Sequence, residues 1–198
     1  RVERVGKANL LVAERPVNLA WTPADFGVRF REEGGVVQMD SDSVYLEPEA
    51  ARTAMAIPGA RGALTYLVNS ISSNGKETPY SFVLAMDQEG LADDEIVMNE
   101  WLSSELDAGV GDSSTVAYFE LSPDGSFVER EKVFRVRAVV SMKALEMERA
   151  LAPAFPGLTD VERCADWDIG IPMEEARLED EANEEYWNEY KQTPKAIV

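Results

Sequence analysis

The residues best placed to do chemistry lie in one acidic stretch: Asp160, Glu162, Cys164, Asp166 and Asp168, at alternate positions. Carboxylates so spaced can wrap a hard cation such as calcium through oxygen ligands. Asp166, Asp168 and Glu162 are therefore the candidate metal ligands. The glycine and terminal glutamate of an EF-hand loop are missing, however, and Trp167 falls among the would-be ligands. The competing use of these acids is to cap helices or to pair with arginines such as Arg163, and that reading is favoured. Cys164 is the single cysteine and cannot form an internal disulfide; its ordinary use is as a small buried hydrophobe.

Other chemistry is thin. The chain has no histidine, which removes Ser–His–Asp hydrolysis, Cys–His chemistry and the usual imidazole-based zinc site. Lys76 and Glu77 could form an acid/base pair, but beside the turn signal Asn74–Gly75 they read as solvated charges. GARGAL, GVGD and NGK carry glycines without the lysine spacing that cradles phosphate. Acidic residues are too common for any two to single out a glycosidase pair. The expectation is a non-enzymatic protein with no cofactor. Trp187 and Trp167 are the weak candidates for a partner interface, since tryptophan is enriched at binding hot spots.

The charge narrows the partners. A net charge of −18 over 198 residues repels phosphate backbones and anionic lipid, so nucleic acid and peripheral membrane binding are not expected. Hydrophobic residues make up 45% and charged residues 28%, an ordinary globular balance. No stretch approaches the ~18 consecutive apolar residues of a membrane span. The start at Arg1 and the end on KAIV read as a piece of something longer.

The elements that must position these residues follow from periodicity. GKANLLVAE (6–14) and FGVRF (26–30) suit strands, as does 43–46, with a helix after Pro48 that ends near Ile57. Residues 64–71 and 80–86 form a hairpin about Asn74–Gly75. Glu95 to Met98 is a strand, Asn99 an N-cap for a helix over 100–108, and Gly109 its left-handed C-cap with Val110 in hydrophobic contact. Thr115 to Leu121 and a return strand follow, with Phe134, Val136, Ala138 and Val140 on one face of an antiparallel unit. Met142 to Leu151 can be a helix. Glu174 to Tyr190 reads as one acidic helix with a Leu178, Ala182, Tyr186 and Tyr190 stripe.

The run EIVMNEWLSSELDAGVGDSSTVAYF, closed by VFRVRAVV, resembles the extracytoplasmic domain of FtsX-like and MacB-like ABC transporter permeases. Val110, Gly111 and Asp112 match the family's Val–Gly–Asp step, and Phe134, Val136 and Val139 its return strand. LTYLVNSISSNGKETPYSFVLAMD and the late CADWDIGIP and YWNEYKQTPKAIV resemble one bacterial branch. The resemblance implies a domain between the first two membrane helices of a permease, on the extracytoplasmic (periplasmic) face of the cytoplasmic membrane. It implies an ATPase subunit or domain as partner through the membrane part, a periplasmic or cell-envelope protein as a further partner, a dimeric parent chain and no catalytic residues. The implied fold is α+β: a mixed α/β lobe (1–92), a smaller β-rich antiparallel lobe with an entrance helix (93–141), and an acidic helical C-terminal extension (142–198) returning to the first lobe. The main alternative is a free-standing extracellular binding module whose acidic segment holds a cation or a basic ligand.

Overall fold

The computed structural model describes residues 22–33, 35–41, 45–122, 124–146, 148, 151–152, 155, 157–168 and 170–198. The strand expected over 6–14 lies outside them. The chain forms two compact units, residues 1–51 and 52–198. In the first, Thr22 and Asp25 cap a short 3-10 turn, Pro23–Phe26, that Gly27 leaves in a left-handed conformation. Strand β1 (Val28–Glu33) then pairs antiparallel with β2 (Val36–Ser41). Asp40 accepts from Arg29 Nε at 3.0 Å and from Arg31 Nε at 2.7 Å across this ribbon. Residues 45–46 are not in a strand, contrary to expectation. Helix α1 (Pro48–Met55) starts with proline in its first turn, as the sequence requires.

The second unit is built on a closed six-stranded barrel. Its hairpin, β3 (Ala63–Ser73) and β4 (Lys76–Met86), turns at Asn74 and Gly75. Their φ values of 50° and 77° are the left-handed pair that a two-residue turn between right-twisting strands demands. Strand β5 (Glu95–Asn99) leads directly into helix α2 (Glu100–Leu106). A second long hairpin follows, β6 (Ser113–Leu121) and β7 (Phe127–Val140). Helices α3 (Met142–Glu146), α4 (Glu175–Leu178) and α5 (Glu181–Tyr190) come next, and a two-residue strand, β8 (Ala196–Ile197), ends the series.

Around the barrel the order is β3-β4-β8-β5-β7-β6, and β6 closes it on β3 through pairs such as Ser70 with Ala117. Two of the neighbours are parallel, β4 with β8 and β5 with β7. The expected α+β fold is thus replaced by a mixed β-barrel with short helices. The strands on either side of residue 92 share one sheet, so neither an α/β lobe nor a separate antiparallel lobe forms. Residues 142–198 are not a helical extension either: the segment 155–190 packs on the outside of β3 and β4, and β8 enters the wall between β4 and β5.

The barrel interior is filled by Val68, Ile71, Val83, Ile96, Met98, Val116, Phe134, Val136 and Ala196, with Leu102 and Leu106 of α2 packed into it. Full burial of a leucine side chain stabilises by about 2 kcal/mol, and both leucines of α2 are fully buried. The four-residue alternation expected along β7 breaks after Val136. Ile96 lies opposite Val136, but Val97 lies opposite Ala138, so Arg137 is an extra residue. This bulge reverses which side faces inward: Ala138 and Val140 pack outside the barrel with Leu84, Val97, Leu145 and Ile197.

Two helix expectations also change. Helix α2 ends at Leu106, where Asp107 takes the left-handed cap at φ 49°. Gly109 instead donates its N–H to Asp112 Oδ2 at 2.8 Å, and Val110 is exposed. The single helix expected over 174–190 is split, because Asp180 restarts it as an N-cap, accepting from Asn183 N at 2.7 Å. The inward face of α5 is consequently Asn183, Tyr186 and Trp187 rather than the tyrosine stripe. Of the helix expected from 142 to 151, α3 covers the first five residues.

Candidate functional site

The group that most needs explanation is Lys195, beside β8. Its backbone is part of the barrel seam: its N–H donates to Phe82 O at 2.8 Å, and its carbonyl accepts from Asn99 N at 3.0 Å. This fixes the side chain beneath α5, where it is 1% exposed. Lys195 Nζ donates to Asn183 Oδ1 at 2.6 Å and to Thr78 Oγ1 at 3.2 Å. The ring centroids of Trp101 and Tyr186 lie 4.2 Å and 4.8 Å from it. Among the described residues no carboxylate forms an ion pair with it. Burial pushes the ammonium pKa down to about 7, against a weaker upward pull from Asp180, Cys164 and Glu105.

Asn99 joins this site to the barrel. Its Oδ1 accepts from Leu102 N at 2.7 Å and so starts α2; its Nδ2 donates to Tyr186 Oη at 3.0 Å and to Pro194 O at 3.4 Å. Tyr186 Oη donates onward to Thr193 O at 3.1 Å. One buried asparagine thus holds the start of α2, the ring over the lysine and the segment that carries the lysine. The seam, α2 and α5 form a single polar network, and such networks specify one arrangement when every member is satisfied.

A cavity lies next to the network, leaving about 10 Å³ for the centre of a water-sized body. Trp167, Asn183, Trp187, Lys191 and Lys195 contribute to its lining. Trp167 Nε1, Trp187 Nε1 and Asn183 Nδ2 are buried and without a hydrogen-bond partner among the described residues. As an ammonium Lys195 can only donate, and in that state Asn183 turns its oxygen to it and leaves its amide nitrogen as a donor. The lining residues thus carry three unpartnered donors beside the hydroxyls of Tyr80, Ser81, Tyr186 and Thr193.

The residues singled out by sequence have other roles. Trp167 and Trp187 pack edge to face with centroids 5.1 Å apart, and both belong to the buried cluster on the outside of β3 and β4. They serve internal packing here, because the β3–β4 wall has an apolar outer face, Leu67, Tyr80 and Phe82, that must be covered. Asp166 is exposed and forms a forked pair with Arg163, at 3.1 Å and 2.9 Å, which lowers its carboxyl pKa. Asp160 Oδ1 accepts from Gly157 N, while Glu162 and Asp168 are exposed. Among the described residues no three acidic, cysteine or histidine side chains come together as a metal site. Cys164 is fully buried, with its N–H donating to Glu184 Oε2 at 2.8 Å; burial pushes its thiol pKa strongly up.

Sequence reasoning did not find Lys195. The available signal was its isolation: it is the one charged residue between Gln192 and Val198, in an otherwise strand-like run. A comparison with protein-family models finds no matching family, and one with curated proteins finds no match.

Proposed function

We propose that this chain is a non-enzymatic extracytoplasmic domain of an ABC transporter permease, coupling ATP-driven movement to a substrate or partner protein outside the membrane. One observation carries the reading. The stretches that resemble such permeases are scattered from residue 64 to residue 198, yet they supply all six strands of one barrel and the layer covering its outer wall. LTYLVNSISSNGKETPYSFVLAMD forms β3 and β4, EIVMNEWLSSELDAGVGDSSTVAYF forms β5, α2 and most of β6, and VFRVRAVV lies in β7. The two late stretches provide Cys164, Trp167 and Trp187 for the outer cover, and β8 for the seam. The fragments lie in one body, although that body is a mixed β-barrel and not the α+β fold that the resemblance implies.

A filled barrel suits the coupling role, since a close-packed interior transmits displacement instead of absorbing it. The test is the cellular fate of the full-length gene product in a bacterial cell. It should sediment with membranes, be cleaved within residues 1–198 by protease added to spheroplasts, and co-purify with an ATPase subunit. Recovery from the soluble cytoplasmic fraction, with protection from protease in spheroplasts, overturns the reading.

A further inference from the structure

We propose that the cavity under α5 is a binding site for one monoatomic anion of chloride size. The first argument is charge: Lys195 Nζ has neutral partners, Asn183 and Thr78, and two aromatic faces, and among the described residues no carboxylate is paired with it, Asp180 and Glu105 acting only from a distance. A buried ammonium without a counter-ion is expensive. The second is the chemistry of the lining. Trp167 Nε1, Trp187 Nε1 and Asn183 Nδ2 belong to residues that are 7%, 3% and 3% exposed, and none of the three atoms has a partner among the described residues. An indole N–H can only donate, and Asn183 Nδ2 is fixed as a donor by the lysine on its oxygen. An anion accepts from all of them, whereas a water there would have to give its own hydrogens to hydroxyls such as those of Ser81 and Thr193, which already donate to Pro79 O and Tyr190 O.

The third argument is size and access. At about 10 Å³ the cavity suits a single small occupant, a water or a monoatomic ion, more than a polyatomic anion. Lys191, exposed and lying 5.7 Å from the Trp187 ring centroid, places a second positive charge on the lining. The net charge of −18 repels anions at long range, but that field is screened beyond about 10 Å in ordinary salt. Short-range donors therefore decide. The charged and titratable groups that line the site or act on Lys195 are Asp180 and Lys191 at the two ends of α5, Glu105 on α2, Cys164, Tyr80 and Tyr186. Protonation of Lys195 should accompany occupancy, so the anion binds more tightly at pH 6 than at pH 9.

The experiment replaces sodium gluconate by sodium chloride at constant ionic strength and follows thermal unfolding of the full chain at both pH values. Chloride should raise Tm in a dose-dependent way at pH 6, by several degrees between ten-fold and hundred-fold excess over its Kd, and by less at pH 9. Asn183→Asp places a carboxylate against Lys195; it should remove the chloride dependence while leaving a folded protein. Lys195→Met should remove it as well. Crystals soaked in sodium bromide should show one anomalous peak within hydrogen-bond reach of the two indole nitrogens. Identical Tm in chloride and gluconate at pH 6, or a peak there without bromide anomalous signal, overturns the proposal in favour of a buried water.

Discussion

Replacing Lys195 with methionine tests whether burial controls this side chain. Methionine keeps the length and most of the volume while removing the charge. The wild-type ammonium has a folded pKa of about 7 against an ordinary value of 10.5. At about 1.36 kcal/mol per unit, carrying the charge inside the fold costs about 5 kcal/mol. The sign follows from proton counting. Between about pH 7 and pH 10.5 the unfolded chain holds a proton on Lys195 that the folded chain has released, so stability rises with pH across that window. Below about pH 7 both states are protonated and the full penalty stands; above 10.5 both are neutral and it vanishes.

From pH 6.5 to 9.5 about 3 kcal/mol of the penalty is relieved in the wild type and nothing comparable changes in Lys195→Met. Other titrating groups are common to the two proteins and cancel in the difference. The variant also loses two hydrogen bonds and two ring contacts, which shift the absolute offset, so the slope is the quantity to read. The assay is urea unfolding followed by tryptophan fluorescence, with both proteins at both pH values in gluconate. The wild type should gain about 3 kcal/mol on the variant between pH 6.5 and 9.5. Parallel pH dependences would show that the lysine is solvated or ion-paired, and the account of the site would fail.

Asn99→Ala removes a helix cap and two further bonds, one to Tyr186 Oη on α5 and one to Pro194 O beside the lysine, and should lower stability by about 2–4 kcal/mol, read by urea unfolding. Asn99→Asp should restore the cap but not the amide's two donated bonds, and so recover only part of the loss. Leu106→Ala empties a fully buried position in the barrel interior and should cost about 2–5 kcal/mol on the same assay. The Cys164 thiol, buried and shifted up, should be unreactive to a disulfide reagent at pH 8 in the native protein and react fully once unfolded; fast native labelling would contradict its burial.

What could be seen in the sequence was local. Asn74–Gly75 specifies its turn by backbone conformation alone, and Asn99 caps α2 through a bond to a residue three positions away. Pro48 acts over a similarly short span, whereas the cap at Asp180 that splits the helix expected over 174–190 was not read. The barrel was hidden because its closure depends on features with no period. A single extra residue, Arg137, turns the inner face of β7 outward, and a strand of two residues, β8, fills the gap between β4 and β5. The site was hidden for the same reason: Lys195 becomes a buried charge only when its own segment, more than 90 positions from Asn99, docks at the barrel seam beneath α5. The acids of 160–168 drew attention by number, but an exposed carboxylate beside Arg163 is satisfied by its neighbour and needs no ion.

The position of β8 has a consequence for how the molecule comes to exist. Six strands make the barrel, and the one that joins β4 to β5 is the last to be synthesised. Until Lys195 to Val198 arrive, β4 and β5 present unpaired N–H and C=O rows, the kind of edge that recruits strands from other chains. The backbone bonds that cover them include Lys195 N to Phe82 O, Val198 N to Leu84 O and Met86 N to Val198 O. They close a loop of about 110 residues, an entropic expense that depends only weakly on its length but delays closure. Without residues 195–198 the barrel should therefore be prone to self-association, and this stretch acts as the fold's own guard against aggregation.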